Sequence, residues 1–200
     1  MPRDAVQPWR AGIVIPIRSF TDAKARLAGL IDHDARIDAA RRMAAQVVDA
    51  AAPLPVVVVT RAPEVLEWAA ERGVDVVTDP GGLDAAAAAG RAFLAERGLT
   101  RVVIAHADLP LARELQPLAR DGTQPVVALV PCHRDDGTNV LSVPTDAPFE
   151  FAYGPGSFRR HAAEARRLGL GVRVVRSPEL AVDVDGADDL HYLDALYVAT

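Results

Sequence analysis

A single cysteine in 200 residues, Cys132, excludes an internal disulfide. Cys132 and the adjacent His133 supply too few donors for a structural zinc site, so Cys132 is read as a buried or bystander thiol. No segment approaches the roughly 20 apolar residues that a membrane span needs. The opening MPRDAVQPWRAG has no apolar signal-peptide core, so a cytoplasmic protein without a membrane partner is expected. Basic residues are also short: 22 Lys and Arg against 27 Asp and Glu give a formal net charge of -5, which argues against a nucleic-acid partner. Neither GxxxxGK[ST] nor a strand-coupled GxGxxG occurs, which excludes a P-loop and a dinucleotide fingerprint.

What the chain does have is alternation. AGIVIPI (11–17), PVVVVT (55–60), VDVVTD (74–79), RVVIAHA (101–107), PVVALVP (125–131), NVLSVP (139–144) and VRVVRS (172–177) read as strands. Several are apolar on both faces, as in a parallel sheet covered by helices. Between the first two, ARIDAARRMAAQVVDAA puts Ile37, Ala40, Ala44, Val47, Val48 and Ala51 on one helical stripe. Further helices are expected near 63–72, 84–97, 111–120, 157–168 and 187–197. The order predicts one α/β domain over 1–200, with a mostly parallel central sheet flanked by helices.

Ligands of such sheets collect beyond the carboxyl ends of the parallel strands. RVVIAHADLPLA reaches Asp108 at such an end. Two readings stand for Asp108: a cap for a helix starting near Pro110, or a ligand for a metal that neutralises phosphate charge. A second acidic segment, LAVDVDGADDL, alternates so that Asp183 and Asp185 project to one side, where they repel unless a cation lies between them. Asp188 and Asp189 fall in the first turn of a following helix, where the helix dipole accounts for them.

An anion-binding element stands beside these acids. In YGPGSFRRHAAEARRLG, the backbone from Gly154 to Ser157, the Ser157 hydroxyl and a helix N-terminus suit a phosphate or carboxylate; a plain N-cap turn is the other reading. His161, one turn on, either reaches the same ligand or is a buried hydrogen-bonded histidine. Gly137 and Thr138 enter a strand where they face a ligand or simply form a hairpin turn at Asp136-Gly137. After the first strand, Arg18, Lys24 and Arg26 cluster on a loop where cations suit a triphosphate.

The succession PIRSFTDAKARL, HADLPLA, GTNVLSVP, FAYGPGSFRRHAAEA and DVDGADDL, in this order over nearly the whole chain, resembles the 2-phospho-L-lactate guanylyltransferase family. The resemblance implies a Rossmann-like nucleotidyltransferase fold and a role in deazaflavin coenzyme F-420 biosynthesis. It implies transfer of GMP from GTP to 2-phospho-L-lactate, or to phosphoenolpyruvate in some members, with release of pyrophosphate. By the same resemblance Asp108, Asp183 and Asp185 bind Mg2+, and Thr138, Gly154 and Ser157 hold the acceptor. Arg18, Lys24, Gly82 and Asp84 face the nucleotide, and Asp108, Lys24 and Arg18 carry the catalysis.

Two positions depart from the family pattern, which usually has lysine at 18 and asparagine at 84. Arg18 keeps the positive charge as a planar fork. Asp84 is an acceptor only, suited to guanine N–H groups and not to a phosphate. Two other classes compete: a metal-dependent glycosyltransferase, which also uses spaced aspartates, and a non-catalytic nucleotide-binding module. The apolar FEFAY (149–153) is a further expectation, an edge strand through which a homodimer pairs.

Overall fold

The computed structural model describes residues 10–23, 28–120, 125–192 and 194. Lys24 and Arg26 lie outside them, as does the end of the last expected helix. Along the chain run β1 (Ala11–Pro16), α1 (His33–Ala51), β2 (Val56–Thr60), α2 (Pro63–Glu71), β3 (Asp75–Thr78), α3 (Leu83–Glu96), β4 (Arg101–Ala105), β5 (Val126–Pro131), β6 (Thr138–Pro144), α4 (Ser157–Arg167), β7 (Gly171–Val174) and α5 (Pro178–Ala181). Short 3-10 turns cover Gln116–Leu118 and Ala187–Tyr192.

The seven strands form one sheet in the order β3-β2-β1-β4-β6-β5-β7. β3, β2, β1 and β4 are parallel, and β5 pairs parallel with β7. β6 runs antiparallel to both its neighbours, β4 and β5. The reversal has a functional consequence: the amino end of β6 lies at the same sheet edge as the carboxyl ends of β1, β4 and β5. The chain leaves β1 toward β2 on one side and adds β4 on the other, so that edge also holds the switch point where doubly wound sheets bind ligands.

Burial follows the apolar runs. β1, β4, β5 and β6 are almost wholly buried, while the edge strands β3 and β7 are largely exposed. On one face the core is built by α1 and α2 through Ala40, Ala44, Val47, Val65 and Trp68. On the other it is built by α3 and α4 through Ala86, Ala87, Leu94, Ala162 and Ala165. No helix among the described residues is long and apolar enough to cross a membrane.

Of the helix expected near 187–197 the described residues make only the 3-10 turn at Ala187–Tyr192, and two further expected elements do not form. No helix covers 111–120: Leu109, Ala112, Leu115 and Leu118 are buried under the sheet, but the backbone makes only the 3-10 turn at Gln116–Leu118. Pro117, inside that span, removes an amide donor and clashes with the preceding turn of a helix there. Residues 149–153 are not an edge strand either, because side chains satisfy their backbone. Arg91 Nη1 donates to the carbonyls of Ala147 (3.1 Å) and Phe149 (2.9 Å), and Glu164, His161 and Asp84 accept from the amides of Glu150, Ala152 and Tyr153. With those groups engaged, the segment offers no ladder to a second chain, and the strand-pairing argument for a homodimer falls.

α3 lies close enough to the sheet to require glycine at its contact. A Cβ at Gly90 would press on both methyls of Val14 in β1. Gly90→Ala is predicted to lower stability by about 1–3 kcal/mol through overpacking, read by chemical denaturation. Adding Val14→Ala should return part of the loss; an unchanged midpoint for Gly90→Ala alone would contradict this packing.

Candidate active site

At the ligand-binding edge of the sheet lies a cleft of about 600 Å3 lined by residues from four directions. Beyond β1 come Ile17, Arg18, Ser19 and Phe20, and beyond β4 come His106, Ala107 and Asp108. The β5–β6 hairpin supplies His133, Arg134, Thr138 and Asn139, while the late segments supply Gly154, Ser157, Asp183 and Asp185. Arg18, Asp108, Thr138, Gly154, Ser157, Asp183 and Asp185 thus share one cleft, although up to 167 residues of chain separate them.

The loop carrying Arg18 is held by a residue that sequence reasoning passed over. Glu64, in the first turn of α2, accepts from the Ser19 hydroxyl (2.8 Å) and the Phe20 amide (3.2 Å). Burial alone raises this carboxyl, but the Ser19 and backbone hydrogen bonds outweigh it and hold Glu64 below the usual range. An acid at a helix start looks like a dipole partner, so nothing local announced the tie.

Asp108 does not cap a helix, because none begins at Pro110. Instead its carbonyl accepts from the Val184 amide (3.3 Å), which lays the second acidic segment across the end of β4. Val182 and Val184 point into the protein, and Asp183 and Asp185 into the cleft, as the alternation predicted. Asn139, buried at the start of β6, fixes this segment: its Nδ2 donates to the carbonyls of Leu180 (3.1 Å) and Ala181 (3.0 Å) and lies 3.3 Å from Asp183 Oδ1. Asp189 belongs to the scaffold, accepting from the amides of Asp185 and Gly186 (both 3.0 Å) with Arg134 at 3.6 Å.

The three acids share an electrostatic problem. Burial, then the charges of Asp108 and Asp185, push the Asp183 carboxyl above its ordinary range despite the Asn139 hydrogen bond. His133 Nδ1 stands 3.7 Å from Asp183 Oδ1, and His106 Nδ1 stands 4.0 Å from Asp108 Oδ1. Among the described residues no three His, Cys, Asp or Glu side chains form a ready metal cage. Hard carboxylate oxygens on a half-open cleft nonetheless fit magnesium, which is commonly held by one or two carboxylates together with substrate phosphates and water.

The same cleft is lined by the segment expected to bind an anion. Gly154 and Gly156 have φ of 97° and 75°, backbone that suits glycine, and they turn the chain into α4. Gly156 is the N-cap, so Ser157 is not a plain cap; its Oγ accepts from the Thr138 amide (3.0 Å) and joins α4 to β6. The expected hairpin is real, and Asp136 within it accepts from the Gly156 amide (3.0 Å). Arg160 binds the carbonyls of Ala152 (2.9 Å) and Tyr153 (3.0 Å), bracing the loop from below. Gly82 and Asp84 do not line the cleft, although Leu83 between them does. Asp84 Oδ1 accepts from the Tyr153 amide (2.7 Å), a contact that an asparagine Oδ1 makes equally well.

The sequence model for guanylyl transferases described as CofC like matches residues 11–194. The chain belongs to this family. A phosphoenolpyruvate guanylyltransferase of Sphaerobacter thermophilus is 36% identical over 192 residues, covering 90% of each chain. Among solved structures, the CofC-like chain is similar to a candidate nucleotide-diphospho-sugar transferase from Desulfovibrio desulfuricans G20, with TM-score 0.76, 17% identity and 92% and 86% of the two chains covered. A nucleotidyl transferase from Methanothermobacter has TM-score 0.66, 18% identity and 95% and 99% coverage. At these identities the two structures establish the shared α/β fold, and family membership establishes a nucleotidyltransferase.

The raised Asp183 carboxyl carries a sign. A carboxyl that is harder to ionise in the folded chain costs stability above its folded pKa, and the cost fades as pH falls toward the ordinary carboxylate range. Asp183→Asn keeps an acceptor for Asn139 and removes the repulsion. In chelator at pH 7 this variant is predicted to melt above the parent protein, with the gain shrinking as pH falls. A lower melting temperature at pH 7 would contradict mutual repulsion.

Proposed function

We propose that this CofC-like protein transfers GMP from GTP to the phosphate of phosphoenolpyruvate or 2-phospho-L-lactate, with Mg2+, in coenzyme F-420 biosynthesis. One observation carries the reading: Asp108, Asp183 and Asp185 line one cleft with Thr138, Gly154 and Ser157, so donors suited to a cation and to an anion share a space large enough for a nucleotide and a small acid. The named relatives, phosphoenolpyruvate guanylyltransferases, support phosphoenolpyruvate as the first acceptor to test.

The chemistry asks little of the side chains. A phosphate monoester, with its second pKa near ~6, is largely dianionic at neutral pH, so the attacking oxygen needs no general base. It bonds to the α-phosphorus of GTP, the bond to the β-phosphate oxygen breaks, and pyrophosphate leaves with the electron pair. Thr138, Ser157 and the Gly154 backbone hold and orient the acceptor anion. Arg18, and Lys24 outside the described residues, supply positive charge for the triphosphate. Bound magnesium would supply the remaining charge neutralisation at the phosphates, held by Asp108 with Asp183 and Asp185. Gly82 and Asp84 stand outside the cleft and are given no contact with the nucleotide; Asp84 acts on the Tyr153 loop instead.

The test is pyrophosphate release with magnesium and GTP, with ATP and CTP as controls, against phosphoenolpyruvate, 2-phospho-L-lactate and 3-phosphoglycerate. Release with GTP and one of the first two acceptors is expected. Asp108→Asn should lower kcat on the order of 100-fold or more while the protein stays folded. Silence of the folded protein across the panel, or transfer from a nucleotide sugar instead, would overturn the reading.

A further inference from the structure

One buried titratable group has no part in the chemistry above. His161 is wholly inaccessible, its ring packed edge-on against Tyr153 with centroids 4.8 Å apart and near Phe149 at 5.9 Å. A histidine serving only as filler on this face of α4 has no need of polar partners, yet both ring nitrogens have one. The Ala152 amide donates to Nε2 (3.0 Å), and Nδ1 lies 3.0 Å from Thr138 Oγ1.

Those two contacts determine where the protons are. A backbone N–H can only donate, so Nε2 carries no proton and the neutral ring bears its hydrogen on Nδ1. That hydrogen points at Thr138 Oγ1, which must accept it. Ser157 Oγ, 3.5 Å away, donates toward the same Thr138 oxygen at the limit of a hydrogen bond while it accepts from the Thr138 amide. Thr138 lines the cleft, and with its oxygen occupied by His161 its own hydroxyl hydrogen is left for whatever sits there.

We infer that His161 is a positioning residue that commits the Thr138 hydroxyl as a donor into the cleft, making this subsite selective for an oxyanion. The inference rests on the reading that Thr138 and Ser157 hold the acceptor's anion. It adds a reason why a hydroxyl, able in principle to accept as well as donate, does only one of these here. Burial, followed by the charges of Arg160 and His106, pushes the His161 imidazole down to about 4, so the neutral ring persists at neutral pH. Protonation would place a second N–H against the Ala152 amide.

Two isosteres separate this role from a structural one. Asparagine at 161 can return a donor at the Nδ1 position, whereas glutamine can return an acceptor at the Nε2 position that holds only Ala152. Phosphoenolpyruvate binding, measured by calorimetry with magnesium and no GTP, is expected to weaken about tenfold in His161→Gln and in His161→Phe. His161→Asn should bind nearer to the parent protein, and GTP affinity should be unchanged in all three. His161→Phe should weaken binding no further in a Thr138→Val background. Glutamine rescuing as well as asparagine, or additive losses in the double variant, would overturn the proposal. Nitrogen-15 NMR of the parent protein is the second readout and needs no variant to fold: protonation at Nδ1 is expected, and at Nε2 would overturn it. If the parent protein binds phosphoenolpyruvate but releases no pyrophosphate, guanylyl transfer fails while the donor role is still read by binding and NMR. No binding of phosphoenolpyruvate or inorganic phosphate overturns the donor role itself.

Discussion

The repulsion among Asp108, Asp183 and Asp185 is the constraint on which the rest of the cleft depends. Carboxylates brought near one another in a half-buried site would separate in a free chain, and here the backbone keeps them together. The Val184 amide binds the Asp108 carbonyl, and Asn139 binds the carbonyls of Leu180 and Ala181. These contacts hold the segment mainly through main-chain oxygens, with Asn139 also touching Asp183 Oδ1, and Asp108, Asp183 and Asp185 line the cleft. Burial, and after it this repulsion, raises the Asp183 carboxyl, and a cation bound there would relieve both.

The antiparallel strand β6 is what lets acids and anion site share the cleft. Had it run parallel, Thr138 and Asn139 at its amino end would sit at the far edge of the sheet. Reversed, it puts Asn139 under the acidic segment and Thr138 beside Ser157, so neighbouring residues serve the two parts of the cleft lining. Arg160, Asp136 and Asp84 then hold the 152–156 loop through its backbone, and Gly154 is presented without a regular element beneath it.

Much of this was legible in the chain. Doubly apolar runs marked the central strands, because strands covered on both faces have no alternation to show. The alternation of Val182, Asp183, Val184 and Asp185 correctly put both acids on one side, since strand-like periodicity survives without a ladder partner. Illegible were contacts made across long separations. The role of Asn139 depends on carbonyls 41 and 42 residues away, and its only local signal was a polar residue opening an apolar strand. FEFAY read as an edge strand because its composition is strand-like; its backbone partners are side chains from α3 and α4 that no local pattern identifies. A helix was expected over 111–120, where Ala112, Leu115 and Leu118 are indeed buried, but Pro117 interrupts the backbone that would carry it.

The most direct test of the central claim is anomalous diffraction from crystals grown with manganese and a non-hydrolysable GTP analogue. Manganese is predicted in the cleft, bound by Asp108 and Asp183 and touching the analogue's phosphates. A fully occupied nucleotide with manganese elsewhere, or with no anomalous peak at these carboxylates, would contradict the claim that the acidic cluster is held together to receive a cation.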